Sequence, residues 1–491
     1  MEFKGFIGSS YQAANPLQDN QVSINYFVEI DKKSEAKTPV SLLSTPGQVD
    51  LGQSVYTGQV RGFNTLPGGS SALVVVANNL LLMTIATVAT SGSRATFSYK
   101  FIGNLNSNLG FVDIRNNGVG GVAVLVDGAN LYSYNIAAQT VYTSSDPAFL
   151  GSNRVCEIDG WFVFFKPNSQ IFYTSPLYWN GKSTSPFDGT YYSLKDNYSD
   201  NIVTMIECNR ELWLIGESTS EIWYNAGNAT FPFSRLPGTM LQVGGVATHS
   251  ISRHGEGLIW LGKSERGNNQ IYMSGGYRAN NICTPAIAYQ INQYAVVSDA
   301  IGYVYEEEGH EFYCLTFPTQ NITWCYDLET DDWHQRAGFL NGQFNRQRAN
   351  VMMNFSGMII TGDYLTGQIY WQTRTSYADG NYPLVSLRRS AHIWDGADRN
   401  KIVHARFQIE FGSNQAPNSI APQAMLRWSN DGGQTWGNEH YVPMQKSGAT
   451  TQRSIWRSLG YSRDRVYELR VSDPVNRDIT GASIRGSEAS A

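Results

Sequence analysis

The chain has 491 residues, enough for a large core and two or three domains. Aromatic residues make up 13% and charged residues only 16%, beside 47 glycines. That balance suits half-buried strands and tight turns and argues against long charge-rich helices. The net charge of −5 argues against tight nucleic-acid binding, which runs on phosphate neutralisation.

Met1-Glu2-Phe3-Lys4 does not open a secretory signal, and no stretch reaches the ~20 apolar residues that span a bilayer. The reading is of a protein made in a cytoplasm. Residues 1–56 form an irregular lead-in, expected to contribute to the repeated body that follows or to contacts between subunits. Ile24-Asn25-Tyr26-Phe27-Val28-Glu29 is its apolar stretch, Asp31–Thr38 its charged one, and Leu42-Leu43-Ser44-Thr45-Pro46-Gly47 ends in a turn pair.

Residues 57–380 carry a short pattern seven times: a polar residue, then Ile or Leu, then usually an aromatic. The aliphatic positions are Leu80, Leu131, Ile171, Ile222, Ile271, Ile322 and Ile369, with gaps of 51, 40, 51, 49, 51 and 47 residues. A buried-strand run precedes most copies, as in Gly121–Val126, Gly160–Phe165, Glu211–Gly216 and Gly257–Gly262. Each repeat therefore holds at least one hairpin, and Asp127-Gly128 is a favoured two-residue turn for one of them. A lone hairpin is marginal in water, so each needs its neighbours. Repeats of this length built from strands predict an all-β β-propeller of six or seven blades, seven favoured. Asn79-Leu80-Leu81 is the weakest copy and leaves six open.

From 381 to 491 the pattern changes to a small C-terminal β-sandwich with a disordered end. Val403–Phe411, Ala424–Trp428 and Val466–Val471 are strand-like, Gln415–Pro422 reads as a loop, and Arg485–Ala491 as the disordered end. This part holds 12 Arg and 2 Lys against 10 Asp and Glu, a balance of +4, which leaves −9 for residues 1–380. Arg388, Arg389, Arg453, Arg457, Arg463 and Arg465 are candidates for docking an acidic neighbour. The plainer reading is a solvated face with internal salt bridges.

No catalytic centre, cofactor site or metal site is expected. The seven histidines show no ligand spacing, and there is no Walker loop, no G-x-S-x-G and no Rossmann glycine turn. Five cysteines without C-x-x-C spacing read as buried free thiols. Glu306-Glu307-Glu308 with Asp331 and Asp332 read as exposed turns rather than paired acids. Ser429, Asp431, Gly433, Thr435 and Trp436 fit the S-x-D-x-G-x-T-W Asp-box, whose work is to tie a hairpin turn. A sialidase would repeat it in every blade. A sialidase-like or glycan-binding propeller is the alternative function, and a kelch-like peptide-binding module a further one.

The run Asn20-Gln21-Val22-Ser23-Ile24-Asn25-Tyr26-Phe27-Val28-Glu29, then Leu42–Gly47, then Val60-Arg61-Gly62, resembles the opening of the packaged-DNA stabilisation proteins. These are the tail nozzle, or tail hub, proteins of short-tailed phages resembling P22. The order of parts is similar too, down to Leu426-Arg427-Trp428-Ser429-Asn430-Asp431-Gly432-Gly433 in the sandwich. The resemblance spans most of the chain and rests on the order of its motifs. It implies a structural virion tail protein and no enzyme. That protein would form a homo-oligomer, a hexameric ring below the portal and its adaptor ring, assembled in the host bacterial cytoplasm. The ring would retain packaged DNA and conduct double-stranded DNA without sequence specificity at ejection. It would also anchor tail fibres or spikes and hold a needle or plug protein. A mildly acidic wall fits such a passage, because it repels phosphate and does not hold it.

Overall fold

The computed structural model describes residues 3–32, 38–87, 95–118, 121–182, 184–264, 266–394, 402–412, 421–444 and 453–488. Most of the charged segment 31–38 and of the loop 415–422 lies outside them, as do the last three residues.

Seven antiparallel sheets follow one another along the chain, at 60–104, 113–143, 155–194, 202–235, 243–281, 301–335 and 349–373. They are blades 1 to 7. The first four and the sixth have four consecutive strands each. In blade 5 two short pieces, Val243–Gly245 and Ser252–His254, share the inner position beside Gly257–Ser264. The repeated aliphatic residue falls in the third strand of every blade: in Asn79–Thr87, Leu131–Asn135, Ile171–Thr174, Ser220–Asn225, Asn269–Ser274, Ile322–Asp327 and Ile369–Thr373. The weak first copy is therefore a full blade, and the propeller has seven.

The second strands are unbroken apolar runs because both of their faces are covered. In Ser71–Val76, Leu73 and Val75 pack with Ile114 and Leu125 of blade 2. Val74 and Val76 point the other way, onto Ile360 and Ile369 of blade 7. One side chain set closes the ring from each side, so alternation of polar and apolar residues has no place there.

Strand exchange between the two ends of the repeats also closes the ring. Blade 7 supplies only three strands from its own stretch, and its outer strand is Gly47–Asp50 from the lead-in, paired with Ile369–Thr373. Gly47 is required there: a Cβ would lie 2.5 Å from the carbonyl oxygens of Ser376 and Ala378. The only α-helix among the described residues, Pro285–Asn292, is capped by Thr284 and buries Ile287 and Ile291 beside blades 5 and 6.

Most of the remaining strands make a sandwich, while Ala337–Leu340 and Gln343–Arg346 form a separate hairpin and Ala378–Asp379 and Tyr382–Pro383 extend the sheet of blade 7. One sheet runs Asn20–Ile24, Ser386–Arg389, Asp464–Val471, Gln423–Ser429, His440–Pro443, and the other Tyr26–Ile30, Val40–Ser44, Ile479–Glu488, Ile402–Phe411, Ser454–Arg457. Tyr26, Phe407, Leu426, Trp456, Tyr467 and Leu469 fill the space between them. The lead-in thus gives three strands and the short Tyr11–Gln12, paired with Asn20–Ile24, to the sandwich as well as one strand to the propeller, a sharing the sequence does not announce. Residues 485–488 correct the expectation of a disordered end at 485: they continue the strand Ile479–Glu488, held by pairing with Ile402–Phe411.

The two parts are continuous. Ile24 pairs in parallel with Gln335, so the sheet of blade 6 runs on into the first sandwich sheet. At Asn25 the chain turns through the left-handed region, φ 57°, and crosses to the second sheet.

Candidate functional site

Three places carry charge that could matter: the channel of the propeller, the seam between propeller and sandwich, and the outer faces of the sandwich. The channel is lined by the inner strands, around a cavity of about 480 Å³. Arg61-Gly62 opens its wall. The Arg61 guanidinium is buried and donates to the carbonyls of Ala77, Ser107, Leu109 and Gly110 at 2.6–2.8 Å, pinning the loop to blade 2. Gly62 leaves room for the Val112 carbonyl, which would stand 2.2 Å from a Cβ. Deeper in, Asp113 lies 3.7 Å from both Arg115 and Arg154 and accepts from Val155 N at 2.9 Å. Burial beside Arg154 pushes the His249 imidazole down to about 3, so it is neutral at pH 7, stacked 4.4 Å from Phe111. Arg253 pairs with Glu207 at 2.9 Å. Four arginines face three carboxylates in this wall, and a cavity of this volume holds a small molecule, not a duplex.

At the seam, His310 of blade 6 is clasped between two carboxylates. Its Nδ1 lies 2.7 Å from Asp327 and its Nε2 2.7 Å from Glu29, on sandwich strand Tyr26–Ile30. His310 is 7% exposed. The hydrogen bond to Asp327, opposed by burial and aided by Glu29, raises its pKa to about 9. Next to it Cys314 and Cys325 face each other on paired strands, Sγ to Sγ 3.3 Å, both buried. All five cysteines are free thiols.

The Asp-box residues form one turn. Asp431 accepts from Ser429 Oγ at 2.5 Å, Gln434 N at 3.0 Å, and Thr435 N and Oγ1 at 2.9 and 2.5 Å. Those bonds hold its carboxyl well below the usual range. Gly433 N donates to Ser429 Oγ at 2.8 Å, with φ 94°. Trp436 closes the turn by donating to Gly433 O at 3.0 Å. Its ring lies 4.9 Å from the guanidinium carbons of both Arg389 and Arg427, which share Glu468. Asn20 of the lead-in donates to Gly432 O at 3.0 Å. The turn thereby holds the lead-in against the sandwich.

The six arginines expected on one docking face are not together on a surface. Arg388 is 0% exposed and donates to the carbonyls of Phe6, Ser9 and Val22 and to Gln21 Oε1. Arg465 is 2% exposed and bonds Asn430, Leu459 and Tyr461. Both are corrected to interior ties, because every donor is spent inside the fold. Arg389 is committed to Glu468 and Asn20. Arg453 is half exposed and pairs with Glu410 at 3.0 Å, while Arg457 and Arg463 are exposed. Reading along the sequence missed Arg406 and Arg485. Arg406 pairs directly with Arg457 on one side and Arg485 on the other, a grouping that only strand register reveals. Among the described residues no group of three or more His, Cys, Asp and Glu side chains could hold a metal ion, and no helix is long and apolar enough to cross a membrane.

A closed seven-bladed propeller whose sixth sheet runs on into a sandwich, with its buried Arg61, Arg388 and Arg465 spent on internal ties, defines an all-β protein of two joined parts. Two family models match in that order: "Bacteriophage P22 Gp10, beta-propeller" over residues 37–377 and "Bacteriophage P22 Gp10, beta-sandwich" over 391–487. The chain belongs to this family, the tail nozzle or packaged-DNA stabilisation proteins of phage virion tails. No curated protein sequence matches it. Among solved structures, the N-terminal domain of Nup159 is similar at 9% identity and TM-score 0.40, covering 72% of this chain and 98% of that one. An S. cerevisiae Dbp5 complex with Nup159, Gle1, IP6 and ADP gives 8% and 0.39, covering 72% and 96%. The AfRom2 CNH domain gives 11% and 0.40, covering 66% and 98%. At this level of similarity none of them bears on function.

Proposed function

We propose that this chain is the subunit of a hexameric nozzle ring below the portal and its adaptor ring. The ring retains packaged DNA, conducts it at ejection, anchors tail fibres or spikes, and seats a needle or plug. It assembles in the host bacterial cytoplasm. The observation that carries this reading is the pair of family matches, in order, over both parts of the chain.

The geometry adds a constraint. The channel of the propeller is too small for a duplex, so the DNA passage is the lumen between subunits. Each propeller is then a rigid wedge of the ring wall. The shared lead-in supports such a role, since it makes propeller and sandwich one stiff body. Of the six candidate arginines, Arg453, Arg457 and Arg463 are accessible for an acidic neighbour.

The test is DNA retention. Particles assembled without this protein are expected to fill and then lose their DNA to nuclease, and purified protein added to the filled particles is expected to restore protection. Particles that keep their DNA in its absence would contradict the reading.

A further inference from the structure

Across one face of the sandwich, three arginines stand side by side. Arg406 is the direct cross-strand partner of Arg457 and of Arg485. Phe407 and Ile409 point into the core, so Arg406 points out; Arg457 and Arg485 are exposed. Directly opposed side chains on a sheet lie about 5 Å apart at Cβ, and like charges there are unfavourable. Among the described residues no carboxylate pairs with any of the three. Ser454–Arg457 is moreover an edge strand.

The propeller carries the complement. A groove of about 610 Å³ across blades 5, 6 and 7 is lined by Glu306, Glu307 and Glu311, with Arg253 as its one basic residue and half-buried Trp371 in its wall. One carboxylate oxygen of Glu307 is buried without a hydrogen-bond partner. Clustered carboxylates are the chemistry that receives a guanidinium. No ion pair joins ladder and groove within the described chain. The charge balance points the same way, +4 beyond residue 380 against −9 before it.

We propose that the arginine ladder of one chain docks into the acidic groove of a second copy. Such a contact is head-to-tail, and a head-to-tail contact repeated by rotation closes a ring. The proposal rests on the ring reading above and says which surfaces build it. Rising salt weakens the contact, since both surfaces are open to solvent.

The test is a charge swap on the full chain, read by light scattering at low and high salt. One variant carries Arg457→Glu and Arg485→Glu, the other Glu306→Lys and Glu311→Lys. Each alone is expected to be monomeric and to melt no lower than the wild-type monomer. Mixed in equal amounts they restore both contacts, and the wild-type mass is expected to return. If the wild type forms a ring and either variant does too, the docking proposal fails while the ring reading stands. If both variants are monomeric and the mixture stays so, the two surfaces do not meet. A wild type that is monomeric at every salt and concentration overturns both. Should a reversal variant melt early, Arg457→Gln with Arg485→Gln replaces it, and a ring mass as salt-sensitive as the wild type's then overturns the proposal.

Discussion

Asn25 and Ala337 exchange two hydrogen bonds where propeller meets sandwich: Asn25 Nδ2 donates to Ala337 O at 2.8 Å, and Ala337 N donates to Asn25 Oδ1 at 2.9 Å. A third bond runs from Nδ2 to Val385 O at 2.7 Å. One buried amide therefore ties the lead-in, the end of blade 6 and the first sandwich strand beyond the propeller. Its left-handed backbone is a conformation Asn tolerates better than most residues.

Asn25→Ala loses all three bonds and keeps the strained φ. The expected cost is about 2–4 kcal/mol, read from chemical denaturation, because buried partners are left unsatisfied. Asn25→Asp keeps an acceptor for Ala337 N and the tolerance of φ, but sets a buried carboxylate against the Ala337 and Val385 carbonyls, and is expected to cost at least as much.

The His310 clasp gives a pH dependence. Its folded pKa, about 9, lies above the ordinary 6.5, so the protonated clasp contributes fully below about 6.5 and is lost as pH rises through about 9. The contribution is roughly 2–3 kcal/mol. Denaturation midpoints of the wild type are expected to fall between pH 7 and 10 more steeply than those of His310→Gln. Parallel profiles would show that the clasp adds no charge-dependent stability.

Gly47→Val drives a side chain into the carbonyls of Ser376 and Ala378. The outer strand of blade 7 is expected to leave its sheet, which opens the ring of blades at the 7–1 junction. Hydrogen exchange then rises in Ile369–Thr373 and Gly47–Asp50 first, with blades 3 and 4 protected as before.

Asp431→Ala unties the turn that carries Trp436 and receives Asn20. Limited proteolysis within residues 13–20 is expected to become several-fold faster, with the propeller's fragments unchanged. Equal rates would mean that other contacts hold the lead-in.

Arg457→Gln relieves the ladder. The isolated chain is expected to gain about 0.2–1 kcal/mol, since like charges no longer oppose across the strand pair. A loss of that size would mean that Arg457 has an acidic partner.

The blades are legible in the sequence because local rules govern them: Leu80 to Ile369 recur at blade intervals, and runs such as Ser71–Val76 are apolar on both faces because both are covered. The fit of Gly47–Asp50 to blade 7 is not legible, since its partner lies at the other end of the repeats and the pairing is a closure, not a pattern. Arg388 and Arg465 read as surface because charged residues seldom go inside; backbone carbonyls that accept from them make these two exceptions, and only tertiary structure supplies those carbonyls. The ladder of Arg406, Arg457 and Arg485 is hidden for the same reason, its members being neighbours through register alone.

The most direct measurement is the mass of the purified chain by light scattering, followed by negative-stain imaging, alone and with the adaptor ring. The account predicts a six-fold ring with an axial hole between the propellers. A stable monomer under both conditions would contradict it.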